Sequence, residues 1–350
     1  MKVTIITPDF GAGDIPLAKL YFDAFNNLGH QSKIVAINPS VIDLSLMGRT
    51  TAYLGRKFSR ISRANMWAEK KLYKALNEDM PDLLLCIRCE NLSLDFLKEI
   101  KSNKNIVLAN IYPDNPMVIP GRITPRFYDW LAKFDVIFSS DNHVKKVFYQ
   151  LGAKCVEWLP FAHEPKYHMA KNAEKVDSRF YGSAISYIGT YGQAQAYWLG
   201  RINHFGLKIW GNGWEKISKN DNLSKVWMRG HGIGSEMWKP IYSSSIVFNM
   251  CRVEHMAELS MKTFEIPAAG GLMLSNFTET QNIFFKNGIE AIYYNNLEEA
   301  NDLISFYLKN ESLIKKIKQN AMKAVTRHTY TSRAQSVIKY VNTGKMDVFI

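Results

Sequence analysis

Residues 2–37 read KVTIITPDFGAGDIPLAKLYFDAFNNLGHQSKIVAI and contain the pattern that decides the fold class. A buried strand, KVTIIT, is followed by a glycine-bearing loop in which Asp14 is expected to cap a helix and Pro16 to begin it. Apolar residues then recur at helical spacing up to Gly29, which ends the helix, and KIVAI forms the next strand. This opening predicts parallel pairing, because a helical crossover joins the two strands.

The same alternation continues along the chain in two sets. The strand-like segments DLLLCI, IVLANIY and VIFSS alternate with helical patterns that begin near Ser93, Thr124 and Asp141, and CVEWLP closes the first set. After a polar stretch at 163–179, the second set contains AISYIG, LKIWG, IVFNM, LMLSN and AIYYN, and three helical segments finish the chain. We therefore predict an α/β protein with two doubly wound parallel sheets.

The length of 350 residues predicts two domains, because a single hydrophobic core rarely serves so long a chain. We predict a Rossmann-like acceptor domain at 1–165, a linker at 166–182, and a Rossmann-like nucleotide domain at 183–326. A C-terminal helical segment at 327–350 is expected to cross back to the first domain. Ligands of doubly wound sheets bind outside the carboxyl ends of the strands, so we expect a cleft between the domains to hold the substrates.

The charge and the cysteines limit the class of protein. A net charge of +12 favours anionic partners such as nucleotides, nucleic acid or a membrane surface. No apolar run approaches the length of a membrane span, and Pro8 and Asp9 interrupt the amino terminus too early for a signal peptide. The four sparse cysteines suit a reducing compartment, and we expect a cytoplasmic protein. The CIRC spacing at 86–89 has no second Cys/His pair at zinc spacing, so buried structural cysteines are favoured and no metal is expected.

The stretch SMKTFEIPAAGG at 260–271 places Lys262 and Glu265 three residues apart on one face of a predicted helix. The helix follows the strand IVFNM, so its amino end lies at the carboxyl edge of the sheet. A helix amino terminus attracts phosphate, and a lysine there adds a point charge. A carboxylate one turn further on can accept hydrogen bonds from a ribose diol. On periodicity alone, a surface ion pair worth about 0.3 kcal/mol is the favoured explanation of the two charges.

SMKTFEIPAAGG resembles the signature of the CgeB-like glycosyltransferases, which usually read Arg-x-Phe-Glu-Ile-Pro-Ala, a variable residue and Gly. Other segments resemble the same family in order: NIYPDNP (110–116), LPFAHEP (159–165), YIGTYG (187–192), WGNGW (210–214) and RHTYTSR (327–333). The resemblance covers the C-terminal half well and the N-terminal half loosely. It implies the GT-B architecture of two facing Rossmann-like domains. It also implies a metal-independent sugar transferase that needs no cofactor and uses a nucleotide sugar, UDP-linked, as co-substrate.

The resemblance also implies roles for residues of the second domain. Glu265 would bind the ribose hydroxyls and Lys262 the diphosphate. The backbone of Gly189 and Thr190 would approach the phosphates, and Gly270 and Gly271 would lie near the donor. His255 would touch the donor sugar or phosphate, although a lone histidine in a loop is more often structural.

Two departures from the family pattern concern the diphosphate. Lysine replaces the usual arginine at Lys262 and lacks its bidentate fork. Gln193 and Gln195 follow the YIGTYG loop where an arginine is expected. Neutralisation of the diphosphate must therefore come partly from elsewhere.

Asp114 is the candidate catalytic base. Inverting sugar transfer needs a group that takes the proton of the attacking hydroxyl. Asp114 directly follows the strand IVLANIY, and its position resembles that of the catalytic aspartate of phage DNA β-glucosyltransferase, another GT-B enzyme. Asp-Asn-Pro is also good turn chemistry, so a purely structural turn remains an equal alternative. Asp9, in the first loop, is a second candidate on the acceptor side.

The segment RTTAYLGRKFSRISRANMWAEKKLYK at 49–74 predicts an amphipathic helix with a basic face. Such a face attracts phosphate-rich acceptors, DNA included, or an anionic membrane surface. A solvated basic face explains the pattern without any partner. The charged residues spaced three and four apart are Arg56, Arg60, Arg63, Lys70 and Lys74.

Three functional hypotheses follow. The first is a glycosyltransferase acting on a cell-envelope, spore or protein acceptor. The second is the same enzyme acting on hydroxylated bases in duplex DNA, which predicts strongly salt-dependent duplex binding. The third is a non-catalytic protein that binds a nucleotide sugar or nucleic acid, and a lack of turnover with any donor and acceptor would favour it.

Overall fold

The computed structural model describes residues 1–8, 15–37, 62–102, 105–118, 121–170, 173–252 and 256–349. These residues form two compact units, Met1–Pro160 with Thr331–Val348 and Phe161–Tyr330 with Phe349. The predicted linker at 166–182 lies in the second unit, and most of the predicted C-terminal segment lies in the first. Several residues discussed above fall outside the described residues, either entirely or, for Arg63, in the side chain: Asp9, Asp14, Arg56, Arg60, Arg63 and His255.

The first unit contains a six-stranded parallel sheet in the order β2-β1-β3-β4-β5-β6. Its strands are β1 (Lys2–Thr7), β2 (Gln31–Ala36), β3 (Leu83–Ile87), β4 (Val107–Tyr112), β5 (Val136–Ser139) and β6 (Val156–Trp158). Its helices up to β6 are α1 (Leu17–Asn27), α2 (Ser62–Glu78), α3 (Leu94–Ser102), α4 (Pro125–Leu131) and α5 (Lys145–Gln150).

Local sequence signals explain several of these elements. All five residues of β3 are buried, as expected for a central strand covered on both faces. Helix α1 ends before Gly29, whose φ of +78° is the left-handed conformation that glycine adopts without strain. The hydroxyl of Thr124 accepts the N–H of Phe127 and so caps α4.

The second unit contains a five-stranded parallel sheet in the order β11-β10-β9-β7-β8. Its strands are β7 (Ser183–Ile188), β8 (Leu207–Trp210), β9 (Ser244–Asn249), β10 (Met273–Asn276) and β11 (Ile292–Tyr294). Its helices are α6 (Pro165–His168), α7 (Ser178–Tyr181), α8 (Gln193–Ile202), α9 (Asn222–Val226), α10 (Trp238–Ser243), α11 (Lys262–Ala268), α12 (Glu279–Phe284), α13 (Leu297–Leu308) and α14 (Glu311–Val325).

The last helix, α15 (Tyr330–Thr343), packs in the first unit from Thr331 onward. The buried guanidinium of Arg333 donates from Nε to the carbonyl of Pro160 at 3.0 Å. The ring of Tyr340 contacts that of Phe138 at a centroid distance of 5.6 Å. These contacts attach the end of the chain to the strand layer of the first unit.

Each sheet has a point where the direction of the crossovers reverses. In the first sheet it lies between β1 and β3, and in the second between β7 and β9. Loops that leave the carboxyl ends of strands at such a point diverge and leave a crevice for ligands. The prediction of two doubly wound parallel sheets is confirmed, and each sheet has one such crevice at its switch point.

Candidate functional site

In the second unit, an ion pair lies on the first turn of α11, beyond the carboxyl end of β9. Lys262 Nζ donates to Glu265 Oε2 at 2.6 Å. The Glu265 side chain is only 3% exposed, whereas that of Lys262 is 24% exposed. The charges predicted to lie on one helix face therefore pair with each other, and the carboxylate is almost fully buried.

His168, the last residue of α6, contacts the other oxygen of this carboxylate. Its Nε2 lies 3.6 Å from Glu265 Oε1, and both side chains are 3% exposed. The backbone N–H of Glu164 donates to His168 Nδ1 at 2.9 Å. Since Nδ1 acts as the acceptor, the proton of the neutral ring resides on Nε2 and faces Glu265.

The charges of these three residues are consistent with this geometry. Burial acts to raise the pKa of Glu265, but the positive charge of Lys262 and the interaction with His168 outweigh it, and the pKa is lowered from its ordinary value. Burial lowers the pKa of His168 although the Glu265 charge opposes the shift. At neutral pH the group is therefore a carboxylate held between an ammonium and a neutral imidazole.

Buried polar bonds fix the surroundings of α11. Thr263 Oγ1 donates to Gln281 Oε1 at 3.3 Å, and Gln281 Nε2 donates to the carbonyl of Asn276 at 2.9 Å. Thr280 donates its hydroxyl to the carboxylate of Glu258, which ties the loop before α11 to α12. These hydrogen bonds hold the polar side chains beyond the carboxyl end of β10 in one arrangement.

The loop after β7 meets the same edge of the sheet. Gly189 N–H donates to the carbonyl of Trp210 at 2.9 Å, and Trp214 Nε1 donates to the carbonyl of Gly189 at 2.9 Å. The Gly189 amide is therefore occupied by β8 and is not a free phosphate donor. In the described part of the chain, the N–H of Thr190 has no backbone partner. Thr190 lies just before the amino end of α8, where Gly192 occupies the N-cap position and no side chain caps the helix.

Gly270 and Gly271 lie at the opposite end of α11, between that helix and the start of β10. Gly270 has a φ of +79°, and a Cβ on Gly271 would approach Ile241 Cγ2 to 2.6 Å. Backbone conformation and tight packing explain both glycines. Their placement near the donor stays a prediction.

In the first unit, Asp114 lies two residues beyond β4 and pairs with Arg88, which directly follows β3. Arg88 Nη1 lies 2.9 Å from Asp114 Oδ2, and the two side chains are 33% and 36% exposed. Glu90 lies beside them, accepts the hydroxyl of Tyr112 at 2.7 Å and pairs with Arg122. The candidate base therefore belongs to a mixed cluster of acids and arginines at the carboxyl edge of the first sheet.

Of the predicted basic face, Lys70 and Lys74 are described on α2, and both are exposed. Lys74 Nζ lies 4.0 Å from Glu78 Oε1, a weak pair on a solvated helix. Both lysines thus remain accessible to solvent.

Two residues of these sites were missed by the sequence analysis, His168 and Arg88. His168 ends the stretch HEPKYH, in which Pro165 at the first helical position is the only local signal of a helix. Arg88 follows a fully buried strand, which is where functional side chains of parallel sheets commonly lie.

Within the described residues, no group of three or more His, Cys, Asp or Glu side chains is placed to hold a metal ion. A membrane-crossing helix would have to be longer and more apolar than any helix among those residues.

Comparison with known proteins gives one match in sequence and several in fold. Residues 195–339 match a family model described as glycosyl transferase-like. No curated protein matches the chain significantly in sequence.

Three solved structures are similar over nearly their full length. Sucrose-phosphate synthase from Thermosynechococcus elongatus has a TM-score of 0.71 at 9% identity, with 97% of this chain and 98% of that chain covered. Anabaena HepE in complex with UDP-glucose has a TM-score of 0.65 at 8% identity, with 98% and 100% covered. Trehalose-6-phosphate synthase OtsA has a TM-score of 0.66 at 11% identity, with 99% and 100% covered.

At these identities the similarity concerns the fold. It confirms the predicted GT-B fold, with two Rossmann-like parallel-sheet domains. The resemblances to CgeB-like enzymes and to phage DNA β-glucosyltransferase stay predictions.

Proposed function

We propose that the protein is a glycosyltransferase that binds a UDP-linked sugar in its second unit and transfers the sugar to a hydroxyl acceptor. The observation that carries the proposal is the buried, ionised Glu265, held by Lys262 and His168 beyond the carboxyl end of β9. A buried, paired carboxylate with a shifted pKa beyond the carboxyl end of a parallel strand is typical of a functional site. Lys262 and Glu265 also lie within the residues that match the glycosyl transferase-like family model.

The donor would be bound by groups on two adjacent loops. Glu265 accepts hydrogen bonds from the ribose hydroxyls, and Lys262 stays paired with Glu265 while its remaining ammonium hydrogens donate to the diphosphate. The N–H of Thr190 and the first amides of α8 supply neutral donors to the phosphate oxygens. These amides compensate in part for the absence of an arginine at Gln193. The choice of uridine is supported by the HepE structure, which contains UDP-glucose.

In the transfer step, Asp114 acts as the general base. It takes the proton of the acceptor hydroxyl while that oxygen forms a bond to the anomeric carbon of the sugar. The bond from this carbon to the diphosphate oxygen breaks, and its electron pair leaves with UDP. Lys262 and the amides of the second unit stabilise the charge that develops on the leaving group. Such direct displacement inverts the anomeric configuration.

The test is calorimetric titration of the full-length protein with UDP, dTDP, GDP and CMP. We expect UDP to bind selectively and Glu265→Gln, which keeps the shape but removes the charge, to raise its Kd at least about 10-fold. Glu279→Gln is the matched control, since Glu279 is exposed at the start of α12. Binding of UDP that is equal in Glu265→Gln and wild type would contradict the assigned site.

A second candidate acceptor is duplex DNA with hydroxylated bases. It is supported by the net charge of +12 and by the exposed Lys70 and Lys74 of the first unit. Binding to a DNA duplex should then weaken by at least about 10-fold between 50 and 200 mM salt, because counterions are released. Feeble binding that does not change with salt would eliminate DNA and leave a glycan or protein acceptor.

A further inference from the structure

The backbone that presents Arg88 is in an unusual conformation. Arg88 and Cys89 have φ values of +63° and +66°, although neither is glycine. This left-handed conformation is unfavourable for residues other than glycine and persists only where the surroundings impose it. Here Arg88 N–H donates to the carbonyl of Ile111 at 3.0 Å, and Asn110 Nδ2 donates to the carbonyl of Arg88 at 2.7 Å.

Buried contacts hold the rest of this turn. Cys89 is fully buried, and its Sγ donates to the carbonyl of Ile6 at 3.4 Å. Arg126 donates to the carbonyls of Glu90 and Leu92, at 2.6 Å each. The fold thus maintains a strained turn at the switch point of the first sheet, and the result is a fixed backbone position from which the Arg88 side chain extends.

The guanidinium of Arg88 has bonding capacity left over. Its Nη1 pairs with Asp114, whereas its buried Nε has no hydrogen-bond partner among the described residues. Glu90 Oε1 lies 3.6 Å from that Nε, too far for a hydrogen bond, and Glu90 already binds Tyr112 and Arg122. A planar guanidinium presents a fork that matches the two oxygens of a carboxylate or phosphate.

The charges of the cluster leave a surplus of positive charge. The cluster contains three arginines and two carboxylates, namely Arg88, Arg122 and Arg126 with Glu90 and Asp114. Asp114 is the most exposed of the four side chains that form ion pairs here, so it is the partner that an incoming anion can displace. A solvent-accessible pair exchanges partners at little cost.

We propose that Arg88 recognises an oxyanion group, a carboxylate or a phosphate, on the acceptor, and that this group takes Arg88 from Asp114. The oxygen of Asp114 that Arg88 held then becomes available to the acceptor hydroxyl. Recognition of the acceptor and release of the base are thereby one event. This inference rests on the proposed function, and it names the substrate class: a hydroxyl acceptor that bears an oxyanion near the reacting oxygen.

The test is calorimetric binding of three matched sugars, glucose, sodium glucuronate and glucose 6-phosphate, to the full-length protein with UDP present. At least one anionic sugar should bind about 10-fold or more tightly than glucose, and Arg88→Gln should abolish the preference. The two anionic sugars distinguish a carboxylate site from a phosphate site. Arg201→Gln, which removes an arginine from the second unit, is the charge-matched control and should keep the preference.

Asp114→Asn is a second test, because it should change the affinity for the anionic sugar in the direction opposite to Arg88→Gln. Because the variant removes the internal competitor for Arg88, it should bind the preferred anionic sugar more tightly than wild type. A merely structural role for the pair predicts no such gain. Equal binding of all three sugars by wild type, or a preference that survives in Arg88→Gln, would overturn the proposal. The Kd of UDP in Arg88→Gln reports separately on the second unit, so failure here is distinct from failure of the donor site.

Discussion

Glu265 in the second unit and Asp114 in the first are both carboxylates beyond the carboxyl ends of parallel strands, and each pairs with one cation. They differ in exposure: 3% for the Glu265 side chain and 36% for that of Asp114. Glu265 is also in contact with His168, whereas Asp114 has solvent on its open side. The same kind of pair is therefore fixed in one unit and exchangeable in the other.

The difference suits two different tasks. A donor nucleotide has a constant chemistry, so its site gains from a carboxylate that is ionised and immobile before binding. A general base must receive and return a proton in every turnover, so it needs access to the acceptor and to water. In the proposed mechanism, burial distinguishes the binding carboxylate, Glu265, from the catalytic one, Asp114.

The largest effect is expected for Asp114→Asn measured as turnover. Loss of a general base should lower kcat by about 10²–10⁴-fold, because the amide cannot take the hydroxyl proton. The stability should change by less than about 1 kcal/mol, since the pair with Arg88 is partly exposed. Release of UDP from UDP-glucose, together with urea denaturation, measures both quantities. Turnover that survives in Asp114→Asn would assign Asp114 to the turn alone.

Glu265→Ala should show a much larger loss of stability than Asp114→Ala. Removing the buried carboxylate leaves a void and takes the partner of Lys262, and we expect a loss of about 2 kcal/mol in the free energy of unfolding. Urea denaturation of both variants at pH 7 gives the comparison. Equal losses would mean that the two pairs do not differ in their coupling to the fold.

Much of the fold could be predicted from the sequence because its signals are local. The run LLLCI has no polar position and is typical of a central parallel strand, and Thr124 marks the start of a helix by its hydroxyl. The pair Lys262 and Glu265 was recognisable from its spacing and its place after a strand. In each case neighbours in sequence determine the structure.

The missing parts of the sites depend on residues far apart in sequence. His168 reaches Glu265 across 97 positions, and no pattern within the stretch HEPKYH indicates that contact. The left-handed turn at Arg88 is imposed by Asn110 and Ile111 of the next strand, against the preference of arginine itself. The role of Gly270 and Gly271 stays a prediction, because a glycine in the sequence is equally compatible with a ligand and with tight packing.

His168 makes the stability of the second unit depend on pH. Burial lowers the pKa of His168 in the folded protein, so below about pH 6.5 the unfolded chain binds a proton that the folded chain does not. The contribution of this residue is therefore complete above pH 6.5 and declines as the pH falls through that value. We expect His168→Gln to lose less stability than wild type between pH 7.5 and 5.5 in urea denaturation. An identical pH dependence in the two proteins would mean that His168 is protonated equally in both states.

Gly270→Ala should give the smallest effect and should separate the two ends of α11. Its φ of +79° is unfavourable for alanine, and we expect a loss of about 1 kcal/mol in stability. The Kd of UDP should stay unchanged, because Gly270 follows the carboxyl end of the helix whereas Lys262 begins it. Gly288→Ala, at a φ of +73° with nothing within 4 Å of the new Cβ, is the matched control for backbone strain alone. If Gly270→Ala weakened UDP binding and Gly288→Ala did not, the carboxyl end of α11 would belong to the donor site together with Lys262 and Glu265 at its amino end.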